Sequence, residues 1–228
     1  MDEDHYHLNS TQIWSCKQYV KLIAISCNTG AFKKGLPLQS QIKRCDSSYC
    51  GDFADTIVVD NFELGVNGVA GLILRDDQRK AIVVAFRGAE SLPHFLLIVS
   101  VPFLKPYPNP AANGARYSRI ADIFRKLFKR GITPQIRELI QSYPDYEIEI
   151  IGQSFGAIAA VVQTLDIIES IDEFDMNKLK CITLSEPRVG DQKFVDYFES
   201  FPIFTKRLVN SRDWAPHLPY KFMGFRVL

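Results

Sequence analysis

The sequence has almost no net charge, no long hydrophobic run and no basic leader. Its 228 residues carry a formal net charge of +1, so no long-range field favours nucleic acid or an anionic membrane. The longest apolar run begins at Leu92 and ends at Leu104, which is too short to span a bilayer. The acidic start, Met-Asp-Glu-Asp-His, lacks the features of a secretory signal. The sequence as given therefore predicts a cytoplasmic protein, or a secreted one if residues precede Met1.

Internal repeats and low-complexity tracts are also missing. With 46% hydrophobic and 23% charged residues, the composition is that of an ordinary globular protein, and the length suits one sizeable core. We therefore expect a single domain over residues 1–228. Cysteine is sparse: Cys45 and Cys50 could close a small loop disulfide, although their spacing does not suit a zinc knuckle. Cys181 lies in an apolar stretch and is expected in the core. We expect no metal and no cofactor.

The pentapeptide Gly152-Gln153-Ser154-Phe155-Gly156 is the most informative feature that is present. It follows a strand-like stretch, residues 147–151, and precedes an Ala/Ile/Val-rich run, residues 157–168, that is long enough for a helix. A G-x-S-x-G turn between a strand and a helix forces the serine into a strained conformation and exposes its hydroxyl group. Gly152 and Gly156 are required because side chains there would clash. The alternative is an ordinary serine in a strand-to-helix turn.

The remaining hydrophobic patterns predict an α/β fold. A mostly parallel sheet with helices on both faces is expected, together with an early antiparallel hairpin. The predicted strands are residues 56–64, 69–74, 81–86, 147–151, 180–184 and 204–209, with the second and third forming the hairpin. The predicted helices are residues 10–27, 116–129, 133–142, 157–168 and 191–200, with Thr133 capping the third.

Three separated residues fall just beyond the carboxyl ends of predicted strands: Gly88, Ser154 and Asp213. In a parallel sheet these ends share one crevice, where ligands bind. A serine nucleophile needs an adjacent base, usually a histidine held by a carboxylate, and two N–H groups for the oxyanion. The N–H groups of Phe155 and Ala89 could serve, since Gly88 allows the chain to turn toward the site.

Four motifs occur in the order and spacing of the fungal class 3 lipases. They are Phe-Arg-Gly at 86–88, the elbow at 152–156, Glu-Pro-Arg-Val-Gly-Asp at 186–191, and Arg-Leu-Val-Asn-Ser-Arg-Asp-Trp-Ala-Pro-His-Leu-Pro at 207–219. The sequence resembles that family over roughly residues 19–225. The resemblance implies an α/β-hydrolase fold, a serine esterase acting on triacylglycerols or related lipid esters, and a mobile lid.

The resemblance also implies roles for individual residues. Ser154 matches the nucleophile and Asp213 the triad acid, while Phe155 and Ala89 match the oxyanion-hole positions. The segment from Leu92 to Leu104 occupies the lid region and would contact a lipid interface transiently. Cys45 and Cys50 look like the family's small disulfide loop. Two alternatives stay open: the apolar segment could be a buried connection, and Asp213 a turn carboxylate that accepts from nearby N–H groups.

Several positions around the nucleophile depart from the family pattern. Gln153, Phe155 and Ala157 replace the usual His, Leu and Gly, and Ala89 lacks the hydroxyl group of the usual Ser or Thr. The loss of one oxyanion donor can cost about 3 kcal/mol of transition-state stabilisation. The usual lid tryptophan is absent as well.

The family's catalytic histidine lies beyond the acid, near the carboxyl terminus, and no residue of this chain matches it. Of the four histidines, His5 and His7 lie in a polar segment, His94 lies in the lid region, and His217 reads as a surface residue. The sequence therefore predicts a lipase domain that lacks the carboxyl-terminal part of its family. The alternative is a catalytically impaired or truncated homologue that binds lipid without turnover.

Overall fold

The computed structural model describes residues 10–26, 33–38, 51–64, 69–89, 103–172 and 174–228. Its strands are β1 (Ile57–Leu64), β2 (Val69–Asp76), β3 (Ala81–Phe86), β4 (Leu104–Pro106), β5 (Arg116–Ser118), β6 (Glu147–Gln153), β7 (Leu179–Leu184) and β8 (Phe204–Leu208). Its helices are α1 (Ser10–Ser26), α2 (Arg119–Arg130), α3 (Ile132–Ser142), α4 (Phe155–Ser170) and α5 (Gln192–Glu199).

Six of the strands form one sheet, in the order β1-β2-β3-β6-β7-β8. The first three pair antiparallel, so the predicted hairpin is confirmed, and β3, β6, β7 and β8 run parallel. Every residue of β3, Ala-Ile-Val-Val-Ala-Phe, is buried. A strand covered on both faces is expected to be apolar throughout rather than alternating. The predicted α/β class, with helices covering a mostly parallel sheet, is therefore confirmed.

Each face of the sheet has its own hydrophobic core. On one face α1 contributes Leu22 and Ile25, which pack against side chains of β2, β3 and β6. On the other face α2, α3 and α4 cover the same strands, with Phe86, Phe128 and Ile158 among the buried residues. Helix α4 is apolar nearly all round because it lies between the sheet and the outer helices. Among the described residues, no helix is both long and apolar enough to cross a membrane.

Two predicted helix starts are wrong. The helix expected from Arg116 begins at Arg119, because Arg116–Ser118 pairs antiparallel with Leu104–Pro106. The Ser118 hydroxyl oxygen then accepts from the Ala121 N–H at 3.2 Å and caps α2. In α3 the N-cap is Gly131, and no side chain bonds there.

The Thr133 hydroxyl is directed elsewhere. It donates to Asp166 Oδ2 on α4 at 2.5 Å, in the buried core. Burial raises the pKa of Asp166. A buried carboxyl group without a donor would be costly, so this tertiary contact outweighs a local cap.

Several sequence predictions lie outside the described residues. These are Cys45 and Cys50 with their expected disulfide loop, and the lid segment up to residue 102. Cys181 is confirmed as a buried free cysteine of the core, and burial raises the pKa of its thiol to about 12. Strand β8 stands at one end of the six-strand order.

Candidate active site

Ser154 occupies the sharp turn between β6 and α4. Its backbone has φ 55° and ψ −117°, a region that non-glycine residues rarely adopt and that stores strain. The Ser154 N–H donates to the Leu184 carbonyl of β7 at 2.8 Å, and the Ser154 carbonyl accepts from the Ala157 N–H at 3.0 Å. Its side chain is half-buried. The strained turn predicted from the sequence is therefore confirmed.

The flanking glycines allow the strand and the helix to approach each other. A Cβ atom at Gly152 would lie 2.1 Å from the Gly156 carbonyl oxygen, and one at Gly156 would lie 2.4 Å from the Arg87 carbonyl oxygen. Both distances are far inside van der Waals contact with main-chain atoms, which cannot easily move away. Main-chain packing between β3, β6 and α4 thus fixes where Ser154 stands.

The loop after β3 passes directly beside the serine. A Cβ atom at Gly88 would lie 3.8 Å from Ser154 Cβ and 3.4 Å from the Gln153 carbonyl oxygen. Ala89, the next residue, is half-buried against the core. The structure thus brings together two parts of the predicted site that are more than sixty residues apart in the sequence.

Helix α4 provides the positive electrostatic end of the site. Phe155 is its first residue, and the first N–H groups of a helix have no partner within the helix. The aligned peptide dipoles of this 16-residue helix add partial positive charge there. The Phe155 ring is turned away into the core, where it meets the Phe124 ring edge-on at 4.9 Å. The main-chain N–H of Phe155, and not its ring, is therefore the group that lies beside Ser154 at the start of the helix.

Asp213 follows the carboxyl end of β8, at the same end of the parallel strands as Ser154. The Ser185 N–H donates to the Leu208 carbonyl at 2.8 Å, so the ends of β6, β7 and β8 lie in succession. The half-buried Asp213 carboxylate accepts from the Ala215 N–H at 2.9 Å. It is thus a turn carboxylate in the sense left open above, and its role as a triad acid stays a prediction.

Arg188 holds the segment that follows Asp213. Its guanidinium Nη1 donates to the carbonyl groups of His217 and Pro219, the latter at 2.7 Å. Its own N–H donates to the Leu218 carbonyl at 2.7 Å. Arg188 is only 5% exposed. From the sequence alone this arginine is one residue of a motif and has no predicted role, because its partners are carbonyl groups about 30 residues away, which leave no local pattern.

Glu186 is a second buried charge in the same segment. It is 2% exposed, and its Oε1 has no hydrogen-bond partner among the described residues. Burial raises the pKa of Glu186 to about 7, against the hydrogen bond from Thr183 and the charge of Arg207. The side chain borders a cavity of about 110 Å³ between β7, β8, α4 and α5. No wall of this cavity belongs to the elbow or to the Gly88 loop.

Metal ligands and histidines complete the description. Within the described ranges, no cluster of three or more His, Cys, Asp or Glu side chains could hold a metal ion. His217 is the histidine that the described part of the chain contains, and it is exposed. It follows Asp213 by four residues, with its N–H bonded to the Trp214 carbonyl at 3.0 Å.

A comparison with known protein families decides the relationship. The family model for lipase (class 3) matches residues 83–223. The chain belongs to the class 3 lipase family. The match includes the Gly88 loop, the elbow and the Asp213 turn, so all three predicted parts of the site lie within the family's shared region. The resemblance inferred from the four motifs is thereby confirmed.

Curated relatives in this family are fungal lipases. The Rhizomucor miehei lipase is 26% identical over 181 residues, which cover 79% of this chain and 49% of that protein. The Rhizopus niveus lipase is 27% identical over 173 residues, covering 75% and 43%. The chain spans about half the length of the curated relatives it matches.

Solved lipases share the fold. The native propeptide complex of Rhizomucor miehei lipase matches with a TM-score of 0.79 and 25% identity, covering 96% of this chain and 67% of that one. A triacylglycerol lipase whose catalytic centre is described as a serine protease triad matches with the same TM-score and identity, covering 96% and 78%. The α/β-hydrolase fold expected for a class 3 lipase is therefore confirmed.

Proposed function

We propose that this chain carries the nucleophile and the acid of a serine carboxylic-ester hydrolase of lipase type. Triacylglycerols or related lipid esters are the proposed substrates, as the names of the relatives suggest. The observation that carries the proposal is the strained Ser154 at the first turn of α4, with the Gly88 loop beside it. Strain of about 1–3 kcal/mol persists only where the surrounding packing enforces it, and it concentrates at functional sites.

The chemistry follows from these positions. Ser154 Oγ would attack the ester carbonyl carbon while a base takes its proton, and the N–H groups of Phe155 and Ala89 would stabilise the oxyanion. Collapse of the tetrahedral intermediate would release the alcohol, which takes the proton back from the base. Water would then cleave the acyl-enzyme by the same steps. Asp213 would hold and stabilise the protonated base.

The base is the remaining requirement of this mechanism. In the class 3 family it is a histidine beyond the acid, and His217 is exposed and held through its main chain rather than its ring. Ala89 adds no hydroxyl donor to the oxyanion hole. The missing hydroxyl group at Ala89 favours the second candidate, a homologue that binds lipid esters without turnover.

Covalent labelling with a fluorophosphonate probe separates the two candidates. The purified chain should be labelled, Ser154→Ala should not, and hydrolysis of p-nitrophenyl esters should follow the labelling. Ser185→Ala is a matched control, because Ser185 also has φ 55° and also follows a parallel strand, but it does not begin a helix. Labelling that survives in Ser154→Ala, or no labelling of the unaltered chain, would overturn the proposal. In the second case, fatty-acid binding without turnover would establish the alternative.

A further inference from the structure

We infer that Arg188 is the positioning residue of the Asp213 turn: its hydrogen bonds to the carboxyl-terminal end of the turn fix the position of the Asp213 carboxylate. This inference rests on the proposed function, since it takes Asp213 as the triad acid. Nothing in the family match assigns a role to this arginine. A series of hydrogen bonds links Arg188 to Asp213 through the turn.

The turn is a continuous hydrogen-bonded unit. The Asp213 carboxylate accepts from the Ala215 N–H, and the Ala215 carbonyl accepts from the Leu218 N–H at 3.1 Å. The Leu218 carbonyl in turn accepts from the Arg188 N–H at 2.7 Å. A shift of Arg188 is therefore passed along main-chain groups to the carboxylate.

The guanidinium group of Arg188 adds two further hydrogen bonds to the end of the turn. One nitrogen reaches two carbonyl groups, those of His217 and Pro219, on either side of the Leu218 carbonyl already bound by the Arg188 main chain. Three successive carbonyl groups thus point at one residue. A lysine ammonium also has donors for two carbonyl groups, but its flexible stem loses more freedom when it is held in one geometry, so lysine would hold the turn less well than the preorganised guanidinium group.

The residues on either side of Asp213 are largely exposed. Residues 209–212 and Trp214 are exposed, and the Asp213 N–H bonds within the turn to the Asn210 carbonyl at 2.9 Å. Ala215 and Pro216 are buried, but small apolar side chains give little orientation. Near β8, Arg207 Nη2 donates to the Glu186 carbonyl at 2.9 Å, which ties the segment containing Arg188 to the strand that precedes the turn. Arg188 thus contacts the end of the turn directly and is linked to its beginning through Glu186 and Arg207.

Trp214 offers a reporter that does not depend on activity. It adjoins Asp213, and the chain has two tryptophans, so Trp14→Phe leaves Trp214 as the single tryptophan, which can be excited selectively over the tyrosines. In that background we would compare Arg188→Lys with Arg125→Lys. Arg125 is a suitable control because it is also largely buried, at 15% exposure, and bonds at 2.8 Å, but to Glu169 on α4.

The expected result has two parts. Because Trp214 is 43% exposed in the folded turn, Arg188→Lys should raise its acrylamide quenching by about 1.5-fold as the turn opens locally. It should lower the rate of fluorophosphonate labelling by about tenfold, since small displacements of catalytic groups have large effects on rate. Arg125→Lys should lower the melting temperature at least as much and leave both readouts unchanged. Equal behaviour of the two variants would overturn the inference.

A measurement on the unaltered protein covers the case in which Arg188→Lys does not fold. Amide hydrogen exchange should be slower at Ala215, His217 and Leu218 than at Gln78 and Arg79, two exposed residues whose N–H groups bond to the Asp76 carboxylate in a turn between strands. Equally fast exchange would show that the turn is not held, and would overturn the inference. If the unaltered chain is not labelled at all, the proposed function fails, whereas quenching still decides whether Arg188 holds the turn and exchange still decides whether the turn is held at all.

Discussion

Around Ser154, at the carboxyl end of β6, main-chain atoms of β3, β6 and α4 come so close that no side chain fits at Gly152 or Gly156. On the Asp213 side, an exposed turn is held by hydrogen bonds to carbonyl groups. Sterics thus place the nucleophile, and polar contacts place the acid. The elbow should therefore be intolerant of added atoms, whereas the acid turn should be sensitive to the loss of single donors, and the adjoining segment that contains Glu186 should be sensitive to pH.

Gly156→Ala should have the largest effect. Its Cβ atom would lie 2.4 Å and 2.5 Å from the carbonyl oxygens of Arg87 and Phe86, so β3 or α4 must move. We expect a loss of about 4 kcal/mol in the free energy of unfolding, measured by urea denaturation, or failure to fold. Gly88→Ala is the control, because its Cβ atom would find ordinary contacts and should cost less than about 1 kcal/mol. A Gly156→Ala protein as stable as this control would refute steric placement.

Glu186→Gln should change the pH dependence of stability on the acid side. The folded-state pKa of Glu186 is raised from 4.5 to about 7, so between these values the folded state binds more protons than the unfolded state. The contribution of Glu186 to stability therefore falls as pH rises from about 4.5 through 7, by roughly 3 kcal/mol in total. The neutral glutamine removes this fall.

Urea denaturation at several pH values between 4 and 8 measures this effect. The two proteins should be similar near pH 4, and the variant should be the more stable near pH 8. Ser154→Ala is the control, because the elbow holds no buried carboxyl group and its curve should run parallel to that of the unaltered chain. Parallel curves for Glu186→Gln and the unaltered chain would mean that Glu186 does not titrate in this range.

The two sides also differ in how far the sequence could predict them. The elbow is local: a glycine pair, a serine, an apolar strand and a helix within about twenty residues allow one geometry, and the structure has it. The acid turn is held by Arg188, whose carbonyl partners lie 29 and 31 residues away in the chain, and the strand before it is bonded to the Glu186 carbonyl, 21 residues from Arg207. No periodicity records such contacts. The position of Asp213 could thus be predicted by resemblance, but not what holds it.

The same distinction explains the two errors in the fold. Strands β4 and β5 have three residues each, too few for an alternating pattern to be recognised, so β5 was included in the predicted helix. Thr133 has the sequence context of a cap, but its partner Asp166 is 33 residues away. In both cases a tertiary contact outweighed a local preference. The long, apolar elements of the sheet were predicted to within a few residues.

Ser154→Gly should stabilise the protein, because glycine accepts the backbone angles that strain the serine. Relief of the strain, less the entropy that glycine adds to the unfolded chain, leaves a gain of about 1 kcal/mol over Ser154→Ala. Both variants should lose fluorophosphonate labelling, so a difference in stability between them is independent of the loss of labelling. Thermal and urea denaturation of the two variants measure the difference. Equal stability would show that packing does not strain residue 154.

Asp213 gives the smallest expected change in stability and the sharpest test of its role. Asp213→Asn keeps an oxygen that can accept from the Ala215 N–H, so stability should change by less than about 0.5 kcal/mol, whereas Asp213→Ala should cost about 1 kcal/mol. If Asp213 is only a turn residue, labelling of Ser154 should follow stability, and the asparagine variant should react normally. If it is the triad acid, both variants should lose labelling together, because an amide cannot stabilise a protonated base. Normal labelling of Asp213→Asn would therefore show that Asp213 is not the triad acid, and would leave the proposed role of Ser154 unaffected.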